Sequence, residues 1–205
     1  MIKVITAPEM VDFSPNSIKV FLAGGIQKCP MWQERVIKHF TSIEMKSNID
    51  IYLMNPRRPN FPINDPSAAD VQIKWEFDML ERCDIFSMYF ANTLESDQPI
   101  CFYELGRNIE RMKKRFPFDW WERIVVTCEK GFRRWKDVDV QTSLATDDEV
   151  VVNLVENDVE LKEHTRAILG AISIVTANHN NNPVNESLSD RQKMMSEMIK
   201  YRMRR

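Results

Sequence analysis

The chain has 205 residues, enough for one well-cored domain plus an appendage. Its 28 Lys+Arg against 30 Asp+Glu give a formal net charge of −2, which supplies no basic field for holding a nucleic-acid backbone and favours small molecules as partners. Four scattered cysteines (Cys29, Cys83, Cys101, Cys128) form no C-x-x-C pair, no apolar run approaches the ~18 residues of a membrane span, and the amino terminus has no signal-peptide pattern; reduced thiols, no metal site, no membrane association and a cytoplasmic location are the expectation.

In chain order, residues 1–17 hold a short apolar stretch, Ile2–Ile5, and a proline-containing loop, which reads as an edge strand or a tail. Ile18–Ala23 is a β-favouring run that ends in Gly24 and Gly25, the pattern of a buried parallel strand followed by a turn where a ligand can approach the main chain. Trp32, Val36, Ile37 and Phe40 recur at helical spacing behind Pro30, predicting a helix over 31–46, and Asp50–Met54 is a second strand. The loop 55–66, with four prolines, two arginines and an aromatic, lies after that strand, at the sheet edge where open α/β folds bind ligands. Arg57 and Arg58 could hold a phosphate or carboxylate there and Phe61 could stack on a base; the alternative is a rigid surface loop whose arginines pair with neighbouring acids.

The periodicity predicts a helix over Ala68–Arg82, with Ile73, Phe77 and Leu80 as its apolar stripe and Lys74, Asp78, Glu81 and Arg82 opposite. Glu76 falls at the stripe's margin, where it is either partly desolvated with a raised pKa or reaching to water. Asp84–Phe90 is a third strand, followed by a polar loop, 91–98, on the same edge. Pro99–Arg115 is a third helix, with Phe102, Leu105, Ile109 and Met112 toward the sheet; Gly106 inside it suggests close packing. Glu104 reads as lying in its first turn, and by itself as an acid complementing the helix dipole. Glu122–Cys128 is a fourth strand, Gly131–Gln141 a basic, aromatic loop leading into a short helix, Val150–Leu154 a fifth strand and Asp158–Val175 an amphipathic helix. The asparagine-rich 177–186 reads as a flexible linker, and Ser187–Arg205 as a methionine-rich amphipathic helix suited to docking. The organisation expected is an edge segment over 1–17, an α/β domain over 18–176, and a linker with carboxyl-terminal helix over 177–205.

The succession LAGGI (22–26), a Trp in the next helix, MNPRRPNFPI (54–63), QIKWE (72–76), RCDIF (82–86), PICFYELGR (99–107) and GFRRWKDVDVQT (131–142) resembles the nucleoside 2-deoxyribosyltransferase-like family over about residues 18–145. The resemblance implies a flavodoxin-like, Rossmann-like parallel sheet of about five strands with helices on both faces. It implies double displacement at an anomeric carbon without a cofactor, a nucleoside or nucleotide and a free base as partners, and a homo-oligomer. The family's nucleophile carries over to Glu104, and its assisting acid to Glu76 with Asp78 as a near alternative. Gly24 and Gly25 would line the pocket; Asn55, Arg57, Arg58 and Phe61 are further candidates for substrate binding, and Tyr103 or a main-chain donor would orient Glu104. On this reading Glu104 is ionised and Glu76 has the raised pKa. The alternatives are an N-glycosidase that hydrolyses nucleoside 5'-monophosphates, with Lys28, Arg57 and Arg58 gripping the phosphate, and a non-catalytic nucleotide-binding protein.

Overall fold

The computed structural model describes residues 1–43, 49–62, 64–156 and 161–181, with side chains to residue 178. Its strands are β1 (Ile2–Thr6), β2 (Ser17–Gly24), β3 (Asp50–Asn55), β4 (Ile85–Phe90), β5 (Ile124–Glu129) and β6 (Asn153–Val155). The helices are α1 (Trp32–Ser42), α2 (Ser67–Arg82), α3 (Pro99–Arg115), α4 (Trp135–Thr146) and α5 (Lys162–Asn181), with a 3-10 turn at Trp120–Arg123. All six strands form one parallel sheet in the order β1-β3-β2-β4-β5-β6. Leaving out β1, this is the flavodoxin-like order, and the expected five-stranded sheet gains its sixth strand because Ile2–Thr6 pairs with Ile51–Asn55 at the edge.

The strands are apolar on both faces, as a sheet covered on both sides requires. On one face Phe21, Met54, Phe86, Met88 and Val126 meet Trp75 and Met79 of α2, Leu105 and Met112 of α3, and Val138 of α4. On the other, Val20, Leu22, Leu53, Ile85 and Val125 meet Trp32, Val36 and Phe40 of α1 and Ile168 and Ile172 of α5. His164 of α5 is buried in this second layer between Ser87 and Thr127, whose hydroxyls lie 3.0 and 2.8 Å from its ring nitrogens, and burial pushes its pKa down to about 3. No helix among the described residues is long and apolar enough to cross a membrane.

Five expectations are corrected. The Ile73–Phe77 stripe faces outward, with Ile73 62 % and Phe77 49 % exposed. Trp75 and Met79 turn inward with Leu80 instead: Trp75 packs on Phe21 at 6.2 Å and its indole nitrogen donates to the Glu9 carbonyl at 2.7 Å. The buried arc thus runs beside Glu76 and carries it into the protein. Gly106 faces open space, since a Cβ there would meet nothing within 4 Å. Helix α5 continues to Asn181, through the start of the expected linker, and Asn178 donates to Glu122 at 2.9 Å. Helix α4 begins at Trp135, earlier than the expected loop allowed, and α1 ends at Ser42. The methionine-rich segment 187–205 lies outside the described residues.

Candidate active site

Strand order reverses between β2 and β4, so the loops after these two strands diverge and leave a crevice at the carboxyl edge of the sheet. A cleft of about 290 Å³ occupies it. Its floor is Phe21, Ala23 and the glycine turn, and one wall is the start of α3 from Gln98 to Glu104, with Glu76 and Pro56 across from it.

Both glycines have a steric reason. Gly24 has φ +150°, and a Cβ on it would run into the Tyr89 carbonyl and the Trp32 indole. A Cβ on Gly25 would run into Cys29 Sγ and lie 2.6 Å from Gln98 Oε1. The Trp32 indole nitrogen donates to the Gly25 carbonyl at 3.0 Å, so the helix behind the turn fixes it.

Glu104 and Glu76 arrive from different helices. Pro99 opens α3 in a position where its missing N–H is no loss, and Gln98 before it is left-handed at φ 49°. The buried side of α3 carries Cys101, Leu105, Asn108 and Met112, and Glu104 lies on the cleft side of that face. Burial and the charge of Glu76 push the Glu104 carboxyl up to about 7, against the opposing pull of Arg107. Burial also raises Glu76, which a hydrogen bond from Gln72 at 2.8 Å holds back. The expectation of an ionised Glu104 beside a neutral Glu76 is therefore revised. Both acids are raised, Glu104 to about 7, where burial and the neighbouring acid act and no donor among the described residues bonds to its carboxyl. The charge of Glu76 thus disfavours ionisation of Glu104, so the two carboxyl groups do not titrate independently.

Of the residues singled out in the sequence, Gly24, Gly25, Glu76 and Glu104 meet in the cleft. The others do not line it. Asn55 is buried and its side-chain oxygen accepts the Arg57 N–H at 3.0 Å, forming a local turn. The Arg57 guanidinium donates to the carbonyls of Ile26 (3.0 Å), Cys29 (2.9 Å) and Pro30, so it laces the glycine turn to the proline-rich loop. Arg58 sits over the Phe61 ring at 5.3 Å, Asp78 pairs with Arg82 at 3.3 Å, and Tyr103 is 66 % exposed. Lys28 is exposed, and its carbonyl accepts from Thr93 Oγ1 at 3.0 Å.

Two residues escaped the sequence reading. Gln98 is 3 % exposed, donates through Nε2 to the Ala91 carbonyl at 2.8 Å, and leaves Oε1 unpartnered at the cleft. That oxygen is an acceptor available to a ligand hydroxyl or N–H; no local pattern announces it, because it depends on a left-handed residue before a proline. Gln72 was within reach, standing four residues before Glu76 on one helix face. Among the described residues no group of three or more His, Cys, Asp or Glu side chains could hold a metal ion.

Fold and cleft define an α/β protein of the flavodoxin-like class with two coupled carboxyl groups at the topological switch point. Residues 17–117, which run from β2 through α3 and contain every one of these cleft residues, match the family model described as nucleoside 2-deoxyribosyltransferase like. The match supports the family that the ordered motifs suggested, and a nucleoside deoxyribosyltransferase-like function is what it suggests. No curated protein sequence matches the chain.

Proposed function

We propose that the chain transfers a 2-deoxyribosyl group between nucleobases by double displacement, with Glu104 as the nucleophile and Glu76 as the proton donor. The observation that carries this reading is the meeting of Glu76 and Glu104 in one cleft, close enough for the charge of one to raise the other. Glycosidic exchange with retention needs such a pair, one carboxylate to capture an oxocarbenium-like carbon and one acid to protonate the leaving group. As positive charge develops at the anomeric carbon it favours an ionised Glu104, and the proton of the pair resides on Glu76. The C–N bond breaks as Glu76 protonates the departing base and the Glu104 oxygen bonds to the anomeric carbon. An incoming base then displaces Glu104, returning its proton to Glu76, so two inversions give net retention.

The cleft volume of about 290 Å³ is near the lower end of small-molecule sites and suits a nucleoside-sized ligand. The homo-oligomer belongs to the same proposal, supported by the outward apolar side chains Val71, Ile73 and Phe77 on α2. The test is incubation with 2'-deoxynucleosides and their 5'-monophosphates, with and without a free acceptor base, followed by chromatography. Base exchange, absent from Glu104→Ala, is the expected result. Free sugar without exchange would assign hydrolysis, and binding without turnover would assign a nucleotide-binding role.

A further inference from the structure

The proposed chemistry needs two acids, and Gln72, which neither donates nor attacks in it, holds one of them. Its carboxamide nitrogen lies 2.8 Å from Glu76 Oε1 and 2.6 Å from the Pro56 carbonyl. A carbonyl can only accept, so Nε2 faces Pro56, and its two hydrogens go to the two partners. Gln72 Oε1 is left buried with no partner. An unmet buried acceptor is unfavourable, so the amide is held in place by what its nitrogen does.

The anchor is itself fixed. Pro56 lies between Asn55, whose side chain turns the loop by accepting the Arg57 N–H, and Arg57, whose guanidinium is fastened to three carbonyls of the segment after the glycine turn. We propose that Gln72 is a positioning residue: it ties Glu76 Oε1 to the N-P-R loop, so that any proton Glu76 carries sits on Oε2, and thereby sets how the pair divides its proton.

This deepens the paired-acid reading and rests on it. Two observations support the assignment. The bond from Gln72 opposes the rise that burial imposes on Glu76, whereas Glu104 has no such donor among the described residues and is raised to about 7. Glu76 is therefore the first of the pair to ionise. The ionisable groups around it are Glu104 and the Cys101 thiol, both from α3, while Arg107 one turn further along acts on Glu104. The β2 turn, Gly24–Gln27, and Pro56 bring no ionisable side chain.

The test is a carboxyl-carbon NMR titration of the full chain, substrate-free, with Glu76 assigned from Glu76→Gln. Gln72→Met keeps the side-chain length and removes both donors. It should move the Glu76 titration to higher pH by about one unit or more, the worth of a hydrogen bond to a charged group. The acid limb of the kcat/KM profile should follow to higher pH while KM changes little. Gln72→Glu, the second variant, should move Glu76 in the same direction. A Glu76 titration unmoved in both variants, with activity or melting temperature lowered at constant pH profile, overturns the proposal and leaves Gln72 a structural residue. The titration does not require turnover, so absence of base exchange in the wild type would count against the function while the position of Glu76 still decided the role of Gln72.

Discussion

Replacing Glu104 by Gln should make the protein more stable above neutral pH. The Glu104 carboxyl lies at about 7 in the folded chain against an ordinary 4.5. Between these values the native state binds more protons than the unfolded state, so stability falls as pH rises through this window and the whole penalty is present above it. At about 1.4 kcal/mol per tenfold change in proton affinity the difference is roughly 3 kcal/mol, and about 2–3 kcal/mol after allowing for the solvent side of the cleft. Glutamine has the same shape and no charge to desolvate. At about 2–4 °C per kcal/mol for a chain of this size, Glu104→Gln should melt roughly 5–10 °C above the wild type at pH 8.5, and within a degree or two of it near pH 5. The assay is calorimetry or circular dichroism across that range, with Glu110→Gln, an exposed acid on the same helix, as the control. A pH-independent offset between Glu104→Gln and wild type, or destabilisation at both ends, would refute the electrostatic argument.

Glu76→Gln should keep binding and lower kcat by roughly 10²–10⁴, the usual contribution of a general acid, with a smaller loss for substrates whose leaving base is already a good leaving group; single-turnover kinetics separates this from a binding defect. It should also bring the Glu104 titration below about 7 by removing the neighbouring charge. Gly106→Ala should stabilise the isolated chain by roughly 1 kcal/mol, since a Cβ there meets nothing and alanine is the better helix former. If base exchange falls in that variant while thermal stability rises, the exposed face of α3 is occupied during function.

The fold was legible because its strands are dense in β-branched and aromatic residues on both faces and its helices carry regular apolar spacing; element type and order followed from that. Strand β1 stayed ambiguous because five residues have no pattern of their own, and only the register with β3 makes them a strand. The α2 wheel failed for a different reason. Two stripes compete on that helix, and tertiary packing chose the larger Trp75 and Met79 over Ile73 and Phe77. At the site, the glycines could be placed because they stand at the end of β2, whereas Glu76 in the interior of α2 and Glu104, past the first turn of α3, were singled out by the ordered motifs. The rise of the Glu104 carboxyl could not be foreseen, because it depends on its burial beside Glu76, which is a matter of three-dimensional contact. The partners of Arg57 were hidden in the same way: a sequence offers it a ligand anion or a neighbouring acid, while the fold supplies main-chain carbonyls.

That last point bears on which substrate the cleft prefers. A monophosphate-specific hydrolase needs cations beside the glycine turn, and Arg57 was the natural choice. Its guanidinium is engaged by the carbonyls of Ile26, Cys29 and Pro30, and burial holds its pKa below the usual value. Turning it toward a phosphate would release three carbonyls and loosen the turn that shapes the cleft. Arg57→Met should therefore destabilise the protein by about 2–3 kcal/mol, as expected when charged-donor hydrogen bonds are lost. It should lower kcat/KM for a deoxynucleoside and its 5'-monophosphate by the same factor, because what it removes is the shape of the turn and not a phosphate ligand. The two kcat/KM ratios, measured side by side at several salt concentrations, decide the matter. A loss confined to the monophosphate, with the melting temperature unchanged, would mean that Arg57 leaves its carbonyls when substrate enters and would favour the hydrolytic reading over base transfer.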